Sequence, residues 1–136
     1  MHGFRYNARV LAQAIGERHF GLAPVGRALA ADEVVPFLAA ELLSGPEIWT
    51  QKAYLARVVR LEGGAQDEGI RPLADFVDSG GPDSIAATVE MNAAGEIYPV
   101  VYLRREGKWT EHALPTDPTH AFDAPKYVAE LEAMLR

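Results

Sequence analysis

SIAATVEMNAAGEIYPVVYLRREGKWTEHAL, residues 84–114, reads as three short strands joined by two tight turns. The alternation of side chains along a strand puts apolar residues on both faces of the middle one. A strand with two apolar faces must be covered twice, so this segment is expected to organise the fold. It does not by itself name a chemistry.

The first hairpin can be registered from its turn. Asn92-Ala93-Ala94-Gly95-Glu96 fits a three-residue loop with Gly95 in the left-handed region, a type I turn closed by a bulge. Pairing Asn92 with Glu96 sets Met91 opposite Ile97, Val89 opposite Pro99, Ala87 opposite Val101 and Ile85 opposite Leu103. All eight share one face and all are apolar, so that face is expected to be core.

The second turn, Arg105-Glu106-Gly107, meets a parity constraint. Each residue of an antiparallel strand points both backbone groups at one neighbour. If Glu96 bonds to the first strand, so do Tyr98, Val100, Tyr102 and Arg104, and Arg104 cannot close the next hairpin. Either the turn is the two-residue Glu106-Gly107, or the middle strand carries a bulge. Pro99 lacks an N–H and marks either that irregularity or the end of the third strand's pairing, and Pro115 stops the third strand. In both versions Tyr98, Val100 and Tyr102 lie on the second face. The two-residue turn adds Trp109 beside Arg104, whereas the bulged version adds His112 and Leu114.

That second face is the candidate binding surface: Tyr98, Val100, Tyr102, Trp109 and His112. A helix of the same chain, a homodimer or partner interface, and the wall of a small-molecule pocket are the three coverings it allows. Tyr and Trp suit interfaces because they bury a large area and keep a polar handle.

The rest of the chain reads as helical. Residues 4–79 carry helix-period patterns, beginning near Phe4 with Ala8, Leu11, Ala12 and Ile15 on one face. A looser piece covers Gly21–Ala31, with Pro24 suited to a helix start. Asp32 is expected to cap a helix bearing Val34, Val35, Leu38 and Leu42, with Pro36 harmless in its first turn. Ser44-Gly45-Pro46-Glu47 has the spacing of a capping box and predicts a long helix over Pro46–Glu62, stopped by Gly63-Gly64. A shorter helix with Leu73, Phe76 and Val77 ends at Ser79-Gly80-Gly81-Pro82. Asp123 is expected to cap a final helix with Tyr127, Val128, Leu131, Met134 and Leu135 on one side.

At 136 residues the chain fits a single domain, 1–136, that buries roughly two thirds of its unfolded surface. The absence of cysteine excludes disulfides and thiolate chemistry. A net charge of −6 argues against nucleic acid as partner. No apolar run reaches the ~18 residues of a membrane span. The amphipathic, acid-bearing N-terminus is unlike a secretory signal, so a cytoplasmic location is expected. Acid clusters at Glu62, Asp67, Glu68, Asp75, Asp78 and Asp83, a solvated face or a docking surface for a basic partner. Ten arginines against three lysines, with much alanine, match a GC-rich bacterial composition.

Residues able to hold a metal gather only in EHALPTDPTHAFD: Glu111, His112, Asp117, His120 and Asp123. His112, Asp117 and His120 are the candidate ligands, but their spacing fits no helix-borne motif and two prolines hold the segment extended. No nucleophile elbow, phosphate loop or dinucleotide fingerprint occurs. His19 suits a helix C-terminus, and no cofactor is implied.

These observations predict an α+β fold, with a helical N-terminal half of four to five helices packed on a three-stranded antiparallel meander, plus a C-terminal helix. The function they favour is non-catalytic: an adaptor, chaperone, immunity-type or regulatory protein working by protein–protein contact, as a homodimer. The alternative is a small-molecule-binding protein or small enzyme with a pocket between sheet and helices, metal-assisted through His112 and His120.

Overall fold

The computed structural model of the chain describes residues 26–136. The first expected helix, near Phe4, lies outside them, as do His19 and Pro24. The described residues form strand β1 (Arg27–Ala28), a 3-10 turn (Ala31–Glu33), helices α1 (Val34–Ser44) and α2 (Pro46–Thr50), strands β2 (Leu55–Arg60) and β3 (Gln66–Pro72), helix α3 (Leu73–Asp78), strands β4 (Ser84–Met91), β5 (Ile97–Arg105) and β6 (Lys108–Ala113), and helix α4 (Pro125–Leu135). The strands make one antiparallel sheet in the order β1-β3-β2-β4-β5-β6.

An α+β architecture is therefore present, but the expected division of the chain is corrected. Among the described residues the sheet has six strands rather than three, and residues 55–72 add a hairpin where the end of the expected Pro46–Glu62 helix and the stretch after its Gly63-Gly64 stop lie. Leu55–Arg60 is buried on both faces, with Val59 packing on one side and Ala56 and Val58 on the other. A strand covered twice loses the period-two signal and mimics the two stripes of a broad helix. Ser44-Gly45-Pro46-Glu47 does not form a capping box: Gly45 is the N-cap and α2 ends at Thr50. Ala53, at φ 65, then turns the chain into β2.

The strands divide the interior into two cores. On the first face, Val59, Ile85, Ala87, Val89 and Val101 meet Leu38 and Leu42 of α1 and Tyr127 and Leu131 of α4. Phe122 closes this core, fully buried, with its ring 5.2 Å from Tyr127 in an edge-on arrangement. On the second face, Ala56, Val58, Ala86, Val100 and Tyr102 lie under Leu73 and Phe76 of α3.

The first hairpin has the expected register throughout, from Met91↔Ile97 to Ile85↔Leu103. Gly95 is left-handed at φ 81, and the Asn92 amide donates to the Glu96 carbonyl at 2.9 Å. Met91 is the exception to the expected core, 60% exposed where the hairpin runs past the helices. The second turn is the two-residue version: Arg105 pairs with Lys108, and Glu106 and Gly107 both have positive φ. That is the primed turn whose twist matches the strands.

The 3-10 turn replaces the Asp32 cap: Glu33 reaches back to accept from the Ala30 amide at 2.9 Å. The last helix starts at Pro125 after Ala124, so Asp123 is not its cap. Arg57 ties the sheet to α1. Its guanidinium donates to both carboxylate oxygens of the buried Glu41, at 3.2 and 3.1 Å, and to Asp67 at 3.4 Å. Burial pulls its pKa down, but the Glu41 hydrogen bond and the charges of Glu41, Asp67 and Glu47 outweigh it, leaving Arg57 above its ordinary value. Gly45 is required beside this pair, because a Cβ there would lie 2.6 Å from the Glu41 carboxylate.

Candidate functional site

The cross-strand rows of the second face follow from the register. Ser84, Arg104 and Trp109 form one row; Val58, Ala86, Tyr102 and Glu111 the next; Thr88, Val100 and Ala113 the third; Glu90 and Tyr98 the last. Four of the five sequence-predicted surface residues, Tyr98, Val100, Tyr102 and Trp109, thus share this face. His112 does not. The two-residue turn places it opposite Val101 on the first face, where its Nε2 lies 2.8 Å from the Thr110 hydroxyl.

Helix α3 covers part of the face. Val100 is buried at 1% and Tyr102 at 7%, whereas Trp109 is 42% exposed. The Tyr102 ring lies 5.8 Å from the Trp109 ring, and its hydroxyl lies between two carboxylates, 3.0 Å from Glu111 Oε1 and 3.3 Å from Glu90 Oε2. Burial, then the Glu111 hydrogen bond and the two negative charges, push the phenol's pKa well up. Tyr127 is raised too, by burial and by Asp117, and donates to the Pro115 carbonyl at 2.6 Å.

Because both phenols hold their protons more tightly folded than unfolded, the stability they contribute is complete below the unfolded tyrosine pKa of ~10 and is lost as pH rises above it. Thermal denaturation from pH 8 to 11 should show the melting temperature of Tyr102→Phe falling less steeply than that of wild type. Superimposable slopes would sink this assignment.

Strand β6 ends the sheet. Leu114 N–H donates to the Pro99 carbonyl at 2.9 Å, and Lys108, Thr110 and His112 oppose Arg105, Leu103 and Val101. Antiparallel parity therefore turns the backbone N–H and C=O of Trp109, Glu111 and Ala113 outward. No described strand pairs with them, and all three residues are exposed. This edge, unpaired among the described residues, and the exposed margin of the second face meet along Trp109, Glu111 and Ala113.

A cleft of about 420 Å³ lies at the other end of this face, against α3, lined by Val58, Arg71, Asp75, Phe76, Ser84 and Arg104 among others. Arg104 is 7% exposed. Its Nη1 donates to the carbonyls of Phe76 and Ser79 at 3.0 and 3.1 Å, and its Nε donates to Pro82 at 3.1 Å. Its guanidinium stacks 4.4 Å over the Phe76 ring. Burial lowers its pKa, partly offset by Asp83. Arg104 is thus a clamp on the C-terminus of α3. None of Tyr98, Tyr102, Trp109 and His112 lines this cleft.

The candidate metal ligands are dispersed in role. Asp117 accepts from the Thr119 amide and hydroxyl, both at 2.9 Å, which holds its pKa down. His120, at φ 54, packs beside the stacked rings of Trp49 and Phe122, 5.4 and 5.8 Å from them. Among the described residues no three ligand-type side chains converge on a metal position. No described helix is long and apolar enough to cross a membrane.

Sequence reasoning missed Glu90 and the free edge. Glu90 could have been placed, since the first hairpin's register sets it opposite Tyr98. The edge follows as well, since the outer strand of the expected three-stranded meander has no neighbour beyond it. Comparison with known proteins adds no assignment: no protein-family model matches the chain, nor does any curated protein or solved structure.

Proposed function

We propose that this chain is a non-catalytic protein that works by contact, receiving an extended segment of another polypeptide along β6. The carrying observation is the outward backbone of Trp109, Glu111 and Ala113 at the end of the sheet. Unpaired N–H and C=O groups in register are a template for strand addition. Trp109 beside them supplies an exposed aromatic anchor on the same face. An adaptor, a chaperone or an inhibitor of another protein all use such a contact.

Panning a random decapeptide library against the immobilised protein tests this. Peptides with alternating β-branched residues should be enriched on wild type and lost on Ala113→Pro. That substitution removes one outward N–H, sits at an exposed position and leaves the ladder to β5 in place. Circular dichroism confirms that the variant is folded. Equal enrichment on both proteins, or none on either, overturns strand addition.

A further inference from the structure

We infer that the segment received at β6 is a basic strand of a different protein, with a lysine or arginine opposite Glu111. The inference rests on strand addition as the mode of contact and specifies its partner.

Glu111 and Glu90 both approach the Tyr102 hydroxyl, which has one proton to donate. One carboxylate at a time therefore lacks that donor. Neither forms an ion pair with a described residue: Lys108 belongs to the opposite face, and Arg104 spends its Nε and Nη1 on backbone carbonyls under α3. Among the described residues, the margin of the second face thus carries two carboxylates with no cation beside them, in a chain of net charge −6. A strand added outside β6 would place its side chains within about 5 Å of Glu111 and Trp109 on that face. A cationic side chain opposite Glu111 completes the charge. Its neighbour two residues along lies across from the Trp109 ring.

The same register argues against a second copy of this chain. Antiparallel pairing of two β6 edges sets outward-facing residues against outward-facing residues, so Glu111 would meet Trp109, Glu111 or Ala113 of the other copy. Lys108 and His112, the basic residues of β6, always fall on the other face. Self-pairing therefore supplies no cation to Glu111 in any antiparallel register. Long-range repulsion between two acidic copies adds to the mismatch, whereas a basic partner is attracted.

Two end-blocked nonapeptides of alternating threonine and valine, one with a central lysine and one with a central glutamate, provide the probe. Titration with calorimetric readout uses the full chain, its Glu111→Lys variant and its Ala113→Pro variant. Wild type should prefer the lysine peptide by about fivefold to tenfold at low salt, one cross-strand attraction plus the like-charge repulsion that the glutamate peptide meets. Glu111→Lys should invert the preference, and Ala113→Pro should weaken both peptides. If Ala113→Pro weakens both but Glu111→Lys leaves the preference unchanged, strand addition stands and the basic partner is overturned. If Ala113→Pro binds both peptides like wild type, the contact mode itself fails. A wild type whose solution mass is that of a dimer, returned to one chain by Ala113→Pro, overturns the proposal in favour of a second copy.

Discussion

Arg104→Ala should lower the unfolding free energy by about 3 kcal/mol or more, each charge-assisted hydrogen bond being worth about 1.5–3 kcal/mol. Three carbonyls, of Phe76, Ser79 and Pro82, would lose their guanidinium donor at once. The Phe76 ring would also lose the cation stacked 4.4 Å above it. Because Phe76 is a main contact of α3 with the sheet, loosening it exposes Val58 and Val100 beneath. Arg104→Lys should recover little, since one ammonium cannot reproduce the planar fork. Urea unfolding monitored by circular dichroism measures both variants. A loss below about 1 kcal/mol for Arg104→Ala would mean that water serves these carbonyls as well as the side chain does.

The second large effect concerns Glu41 and Arg57. Removing Glu41 alone, as Glu41→Ala, leaves the largely buried Arg57 guanidinium with only the longer Asp67 contact, at 3.4 Å, and should cost about 3 kcal/mol. Replacing both partners, as Glu41→Leu with Arg57→Met, removes both paired charges and fills the space with apolar atoms, while Asp67 keeps the Gly69 amide as donor at 2.8 Å. That double variant should recover most of the loss, as the behaviour of buried ion pairs leads one to expect. The pair is contiguous with the Phe37 ring, 5.5 Å from the Arg57 guanidinium, so an apolar environment is at hand. Denaturant midpoints of Glu41→Leu, Arg57→Met and the double variant form the cycle. Strict additivity would refute the pairing as an energetic unit.

What could be read from sequence followed the turns. Asn92 to Gly95 fixed a register that holds over eight residue pairs, because a turn with one left-handed glycine and a polar first residue admits few geometries. Parity then narrowed the second hairpin to two versions, and the one with Trp109 on the second face is observed. The short helix with Leu73 and Phe76 was also legible, since it has a clear glycine stop.

The β2–β3 hairpin was not legible, for two separate reasons. β2 is central and buried on both faces, so it shows no alternation; the adjacent Val58 and Val59 were its one local hint. β3 is polar and broken by a bulge, where Val58 faces Gly69 and Val59 faces Asp67, with Gly69 at φ 85. Such a bulge shifts the face pattern midway along the strand. Within the candidate site, the aromatic residues were found by their character. The acidic partners of Tyr102 were not, because a carboxylate on a strand reads as solvated until its cross-strand neighbour is known.

Under the proposed strand addition, Pro99 would limit how long a received strand stays. It lies in the row of β5 that faces β6, accepts the Leu114 amide and has no N–H to return, so the ladder stops there and β6 remains short. An incoming strand finds three outward residues, each with one donor and one acceptor. At about 1 kcal/mol net per hydrogen bond, set against an association cost of at least ~4 kcal/mol, the backbone ladder alone leaves about 2 kcal/mol, which at ordinary association rates is a complex lasting about a millisecond or less rather than hours. If β6 receives a strand as proposed, the length of that edge makes the contact a matter of residence time, suited to taking up and releasing a chain and ill suited to permanent assembly.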